Sequence, residues 1–156
     1  MAAFCSQSDL EIAVGGADVL RQLADPSGTG TADSATVTDY LEGPAGKIRS
    51  AIEIKHDPET IATLDAGTLR TLRDCNKWLS AEVAWLEGAR GQGMPQHIAA
   101  RAAQEREWLS LVADGHRRLG RVAGKPGPAL NQPAGVIDFD SLGTGVSVAG
   151  FKRGFR

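Results

Sequence analysis

The sequence predicts an all-α protein: a small helical bundle, built from a kinked long helix and a helical hairpin, followed by an extended Gly/Pro-rich C-terminal tail. Three observations lead there. Apolar residues recur at three- and four-residue steps through most of residues 1–120, as one buried helix face requires. Helix start signals precede those stretches: Asp33-Ser34, Asp57-Pro58, Asp65-Ala66-Gly67 and Pro95. From Gly124 onward the periodicity stops and glycine and proline dominate. These divide the chain into a helical body, 1–120, and a tail, 121–156, that serves as a partner-binding arm with room for short strands.

Taken in order, Ser8-Asp9-Leu10-Glu11 has the spacing of a capping box and starts a short helix that stops at Gly15-Gly16. A second short helix, Ala17 to Ala24, carries Val19, Leu20 and Leu23 into the turn Asp25-Pro26-Ser27-Gly28. Asp33 and Ser34 cap the long helix, whose inward face is Val37, Tyr40, Leu41, Ile48, Ala51 and Ile52. Gly43-Pro44 interrupts it, which predicts a kink or two abutting helices.

A short segment from Glu59 to Leu64 leads to a helix from Asp65 to the Gly88–Gly91 region. Its expected seam is Leu69, Leu72, Asn76, Leu79, Val83 and Leu86, with Trp78 and Trp85 on the flank, against a neighbouring helix or another subunit. Pro95 opens the last helix, with Ile98, Ala102, Glu105, Leu109 and Val112 as its stripe and an end at Leu119-Gly120. The short connection between these two helices makes them antiparallel neighbours. Glu105, an acid in an apolar stripe, calls for a partner: Arg101, Lys77 or a subunit interface.

Composition narrows the function classes. The chain has 156 residues, a formal net charge of -2 and 42% hydrophobic residues, enough for one modest core. No apolar run is long enough to span a membrane, and no basic-then-apolar leader opens the chain. Cys5 and Cys75 lack metal-ligand spacing and read as free thiols, with Cys75 a core thiol rather than a nucleophile. His56, His97 and His116 share no face with one another. Asp25, Ser27, Thr29 and Gly30 follow a calcium-loop pattern, but its twelfth place is Thr36 where a glutamate is required. No catalytic constellation, metal site or cofactor motif emerges, so an enzyme is not expected.

The C-terminal quarter carries the remaining signal. After Gly115 only Asp138 and Asp140 oppose Arg117, Arg118, Arg121, Lys125, Lys152, Arg153 and Arg156. Val136-Ile137-Asp138-Phe139-Asp140 and Val146-Ser147-Val148 alternate weakly, as edge strands do. Ile137, Phe139, Val146, Val148, Phe151 and Phe155 exceed what a linker needs, and with Lys152, Arg153 and Arg156 they are the candidate partner-binding residues.

The order Phe4-x-x-x-Ser8-Asp9-Leu10, Val14-Gly15, Leu20-x-x-Leu23-x-Asp25, a Gly-rich turn, Asp33, Val37 and Ile48-x-x-Ala51-Ile52 resembles the head-to-tail connector (adaptor, or head-completion) proteins of tailed bacteriophages. By motif the resemblance covers about a third of the chain. It implies a structural virion protein of the neck, assembled in the host cytoplasm as a ring, of twelve subunits by the family's habit. The ring would dock beneath the portal protein, extend the DNA channel without reading sequence, and seat a stopper or tail-completion protein. The tail residues would then hook the portal or an adjacent subunit. Arg117, Arg118 and Arg121 would either face phosphate in the channel or favour the negative end of their own helix. Two departures stand out: Pro26–Thr31 has fewer acids than the family's turn, and Gly43-Pro44 falls where an unbroken helix is expected. The alternative is a small helical DNA-binding packaging or regulatory protein, which requires a basic recognition helix.

Overall fold

The computed structural model describes residues 3–55, 58–89, 92–117 and 119–120. These form five α-helices and one 3-10 turn, with no strand, so the all-α fold class stands. The helices are α1 (Gln7–Val14), α2 (Ala17–Leu23), α3 (Ser34–Glu53), α4 (Ala66–Gly88) and α5 (Gln96–Ala113), and the 3-10 turn (Pro58–Thr63) precedes α4.

The first helix starts two residues earlier than its sequence suggests. Ser6, not Ser8, is the N-cap, and Asp9, not Glu11, completes the capping box. Both pairs have the required spacing. The Ser6 pair prevails because Asp9 also receives Arg73 of α4 through two hydrogen bonds, at 2.9 Å and 2.7 Å, a tertiary tie the Ser8 register would lose. Gly15 ends α1 at φ 107°, a conformation costly for any residue with a Cβ.

The turn after α2 is held by one carboxylate. Asp25 accepts hydrogen bonds from the backbone N–H groups of Thr29 at 2.9 Å and Gly30 at 2.6 Å. Those bonds hold its carboxyl below the usual range. Asp33 N–H donates to the Ala24 carbonyl at 2.7 Å, closing the loop, and the Asp33 side chain caps α3 through Thr36 N–H at 3.1 Å. Tyr40 then donates its hydroxyl to the Leu23 carbonyl at 3.1 Å, docking α3 on the end of α2.

Helix α3 runs unbroken across Gly43-Pro44, so the two-helix alternative does not occur. Pro44 has no N–H to give the Tyr40 carbonyl, yet its ring is buried and Ala45 beside it is fully enclosed. Tertiary packing thus outweighs the local cost. The inward face holds Val37, Tyr40, Ile48 and Ile52 buried, with Leu41 and Ala51 half-buried.

Helix α4 departs most from expectation. Leu72, Asn76 and Leu79 are buried as the seam requires, but its ends are not: Leu69 is 40% and Leu86 68% exposed. Cys75, Ser80, Ala81 and Ala84 are buried instead. These small residues let neighbouring helices approach closely. At Gly88 a Cβ would come within 2.8 Å of the Leu23 Cα and carbonyl carbon, and closer still to the carbonyl oxygen. The seam therefore turns toward residues with little hydrophobicity of their own.

Helix α5 ends at Ala113 rather than Leu119-Gly120, because Gly115 adopts φ 77° and the chain turns away. Ile98, Ala102, Leu109 and Val112 are buried as expected. Contacts between α4 and α5 pair Glu82 with Arg106 and Trp78 with Arg101, and beyond α5 Gly120 meets Asp65 at the start of α4. Gly120 beyond α5 meets the start of α4, whereas Arg101 and Arg106 on α5 meet Trp78 and Glu82 farther along α4, so the chain returns along α4 as antiparallel packing demands.

Two apolar clusters fill the body. Leu10, Val14, Leu20, Val37, Tyr40, Ala81, Ala84 and Ile98 belong to the first, with Trp78 and Trp85 packed against it. Ile48, Ile52, Leu64, Leu72, Cys75, Leu79, Leu109, Val112 and Leu119 belong to the second. Along α4 they are joined by a polar layer: buried Asn76 donates through Nδ2 to the Leu41 carbonyl at 3.3 Å and to Ser80 Oγ at 3.2 Å, with Cys5 Sγ 2.9 Å away.

Candidate interaction surface

Three helices converge on a groove of about 430 Å³, lined by Pro44, Lys47 and Ala51 of α3, by Leu79, Glu82 and Val83 of α4, and by the last turns of α5. The groove exists because Ala51, Ser110 and Ala113 are too short to fill the space between the helices. Its floor is the apolar edge of the second cluster, where Leu79 and Leu109 are nearly buried. Its rim is charged. Arg106 is ion-paired with Glu82, which is only 14% exposed, while Arg106 is 53% exposed. Lys47 is exposed and forms no ion pair among the described residues. The arrangement suits an extended segment with apolar side chains on one face and acids on the other. The apolar lining residues Ala51, Leu79, Val83 and Leu109 are legible as helix faces, but the charged rim is not, because Glu82 and Arg106 are 24 residues apart and meet only through the hairpin.

A second depression, about 440 Å³, lies on the other side of α5 and is more polar, with Glu105, Glu107, Trp108 and Arg117 among its walls. Glu105 is half-buried, and neither expected partner forms an ion pair with it. Lys77 pairs with Asp74 at 2.7 Å, and both Lys77 and Arg101 sit over the Trp78 ring, at 5.2 Å and 5.9 Å. Burial, then the nearby Asp74 carboxylate, push the Glu105 carboxyl up, and the two cations offset this only in part.

Of the three arginines assigned to a DNA channel, Arg117 is described and Arg118 and Arg121 lie outside the described residues. Arg117 is exposed, four residues past the end of α5, and its backbone N–H returns to the Leu111 carbonyl at 3.0 Å. It shares its depression with two glutamates, so its charge does not stand alone. Ile137, Phe139, Val146, Val148, Phe151, Lys152, Arg153, Phe155 and Arg156 also lie outside the described residues.

The cysteines are core residues. Cys75 is fully enclosed, and burial with the added effect of Glu105 pushes its thiol far up. Cys5 is buried 2.9 Å from Asn76 Nδ2, and burial raises its thiol as well. Among the described residues no group of three His, Cys, Asp or Glu side chains is placed to hold a metal ion, and no helix is long and apolar enough to cross a membrane. The chain matches no family model, and no curated protein shows detectable similarity to it.

Proposed function

We propose that this chain is a head-to-tail adaptor of a tailed bacteriophage. Copies of it form a ring, expected to be dodecameric, beneath the portal, extend the DNA channel and present a platform to a stopper or tail-completion protein. The observation that carries this is the order of motifs from Phe4 to Ile52, set on a helical body that is followed by a Gly/Pro-rich tail with spaced apolar anchors. The motif positions Leu10, Leu20, Leu23, Val37, Ile48 and Ile52 are all core residues. Burial alone is common to any helical bundle, so order and spacing carry the weight. Ring assembly suits such a chain, because many copies each contributing a weak contact bind strongly together.

Electron microscopy of the full chain mixed with portal-containing heads tests the proposal. A ring of this protein stacked on the portal is the expected result, and heads that remain bare at saturating protein overturn it. The alternative DNA-binding protein gains no support from the helices, whose cations are largely engaged: Arg73 with Asp9, Lys77 with Asp74, Arg106 with Glu82.

A further inference from the structure

The groove between α3, α4 and α5 is an open, mostly apolar slot on the body, and one stretch of the same chain matches it chemically. The geometry points to the groove as the intramolecular seat of Val136–Asp140, which straps the tail to the body of the free protein. This holds for the isolated chain and does not depend on ring formation.

Three observations converge. In an extended backbone Ile137 and Phe139 share one face and Asp138 and Asp140 the other. The apolar pair fits the floor formed by Leu79 and Leu109, and the acids lie along the rim within reach of Lys47 and Arg106. Charge selects this stretch over its neighbour. Val136–Asp140 carries the only two acids after Gly115, whereas the second alternating stretch, Val146–Val148, is followed closely by Lys152 and Arg153. Those cations would face a rim whose unpaired charge, on Lys47, is also positive.

Reach is sufficient. Gly120 is pinned at the start of α4, its carbonyl accepting from Asp65 N–H at 3.2 Å and its own N–H donating to Thr68 Oγ1 at 2.9 Å. From Thr68 to Leu79 and Val83 the helix advances by about 17–22 Å at its usual rise. The sixteen residues 121–136 span up to ~50 Å when extended. A tether of this length places the segment at an effective concentration near the millimolar range, so even a weak site is filled by its own chain.

Methyl and aromatic NMR of the full chain tests this. Cross-relaxation between the Phe139 ring and the methyls of Leu79 and Leu109 is expected in a sample at monomeric concentration. The double variant Ile137→Ser/Phe139→Ser should remove it and shift the groove methyls, with the circular dichroism spectrum unchanged because neither residue belongs to the described core. Lys47→Glu should move the same methyls toward the positions seen in that double variant. Adding Asp138→Lys and Asp140→Lys to Lys47→Glu should restore them, which loss of a merely structural residue cannot do. Groove methyls identical in wild type and Ile137→Ser/Phe139→Ser overturn the proposal. So does cross-relaxation that appears only between isotopically distinct copies in a mixed sample, which would make the seat intermolecular. Bare portal heads in the microscope leave this result untouched, so the two failures are distinguishable.

Discussion

Asp9 does two jobs with one carboxylate. Its oxygens accept from Ser6 N–H at 2.9 Å and Ser6 Oγ at 2.8 Å, completing the cap of α1, and from Arg73 at 2.9 Å and 2.7 Å, fastening α1 to α4. The Arg73 guanidinium, with the Ser6 bonds, holds the carboxyl far below the ordinary carboxylate range. A depressed carboxyl stabilises the folded state above its unfolded value, near pH 4, and loses that contribution as pH falls toward the folded value. Arg73 is 55% exposed, so solvent screening reduces the tie, and Asp9→Asn should cost about 1 kcal/mol at neutral pH. Urea unfolding at pH 7 and pH 2.5 checks the sign: the gap between wild type and variant should be full at pH 7 and clearly smaller at pH 2.5. An equal gap at both values would mean that the carboxylate charge plays no part.

At the scale of elements, much was legible because helix ends are local chemistry. Asp33 and Asp65 cap α3 and α4 through their side chains, Gly15 supplies the left-handed C-cap of α1, and Pro95 immediately precedes α5 without a side-chain cap bond. What could not be read depends on contacts between elements. Ser6 and Ser8 offer equal caps until Arg73 chooses Asp9. Gly43-Pro44 looks like a break until packing around Ala45 keeps α3 whole. The face of α4 follows close approach rather than hydrophobicity, since small residues admit neighbouring helices while Leu69 and Leu86 point outward. That phase has a measurable consequence. Leu72, fully buried in the second cluster, should cost about 2–5 kcal/mol when changed to alanine. Leu86, 68% exposed, should cost less than about 0.5 kcal/mol. Comparable losses in chemical denaturation would restore the seam through Leu86. The candidate groove was illegible for the same reason, as its rim is assembled from residues on three helices. The tail segment proposed to fill it was visible as an alternating, acid-bearing stretch.

For the whole molecule, the decisive feature is that α4 belongs to both apolar clusters. Ala81 and Ala84 pack with Leu10, Val14 and Ile98, while Leu72, Cys75 and Leu79 pack with Ile48, Leu109 and Val112. Helices α3 and α5 are shared in the same way, through Val37 and Tyr40 against Ile48 and Ile52, and through Ile98 against Leu109. Asn76 bridges the two regions by bonding to Leu41 of α3 and Ser80 of α4. Helices in proteins draw most of their stability from tertiary packing rather than from propensity, so each of the three loses much of its support when either cluster is lost. The body should therefore open as one cooperative unit. Leu10→Ala removes side-chain volume from the first cluster only, at an expected cost of about 2–5 kcal/mol. Native-state hydrogen exchange should show the most slowly exchanging amides around Val112, in the second cluster, losing protection by an amount equivalent to the whole of that cost. If Leu10→Ala instead leaves protection near Val112 unchanged, the clusters unfold separately, and α4 must break near Asn76 to let them.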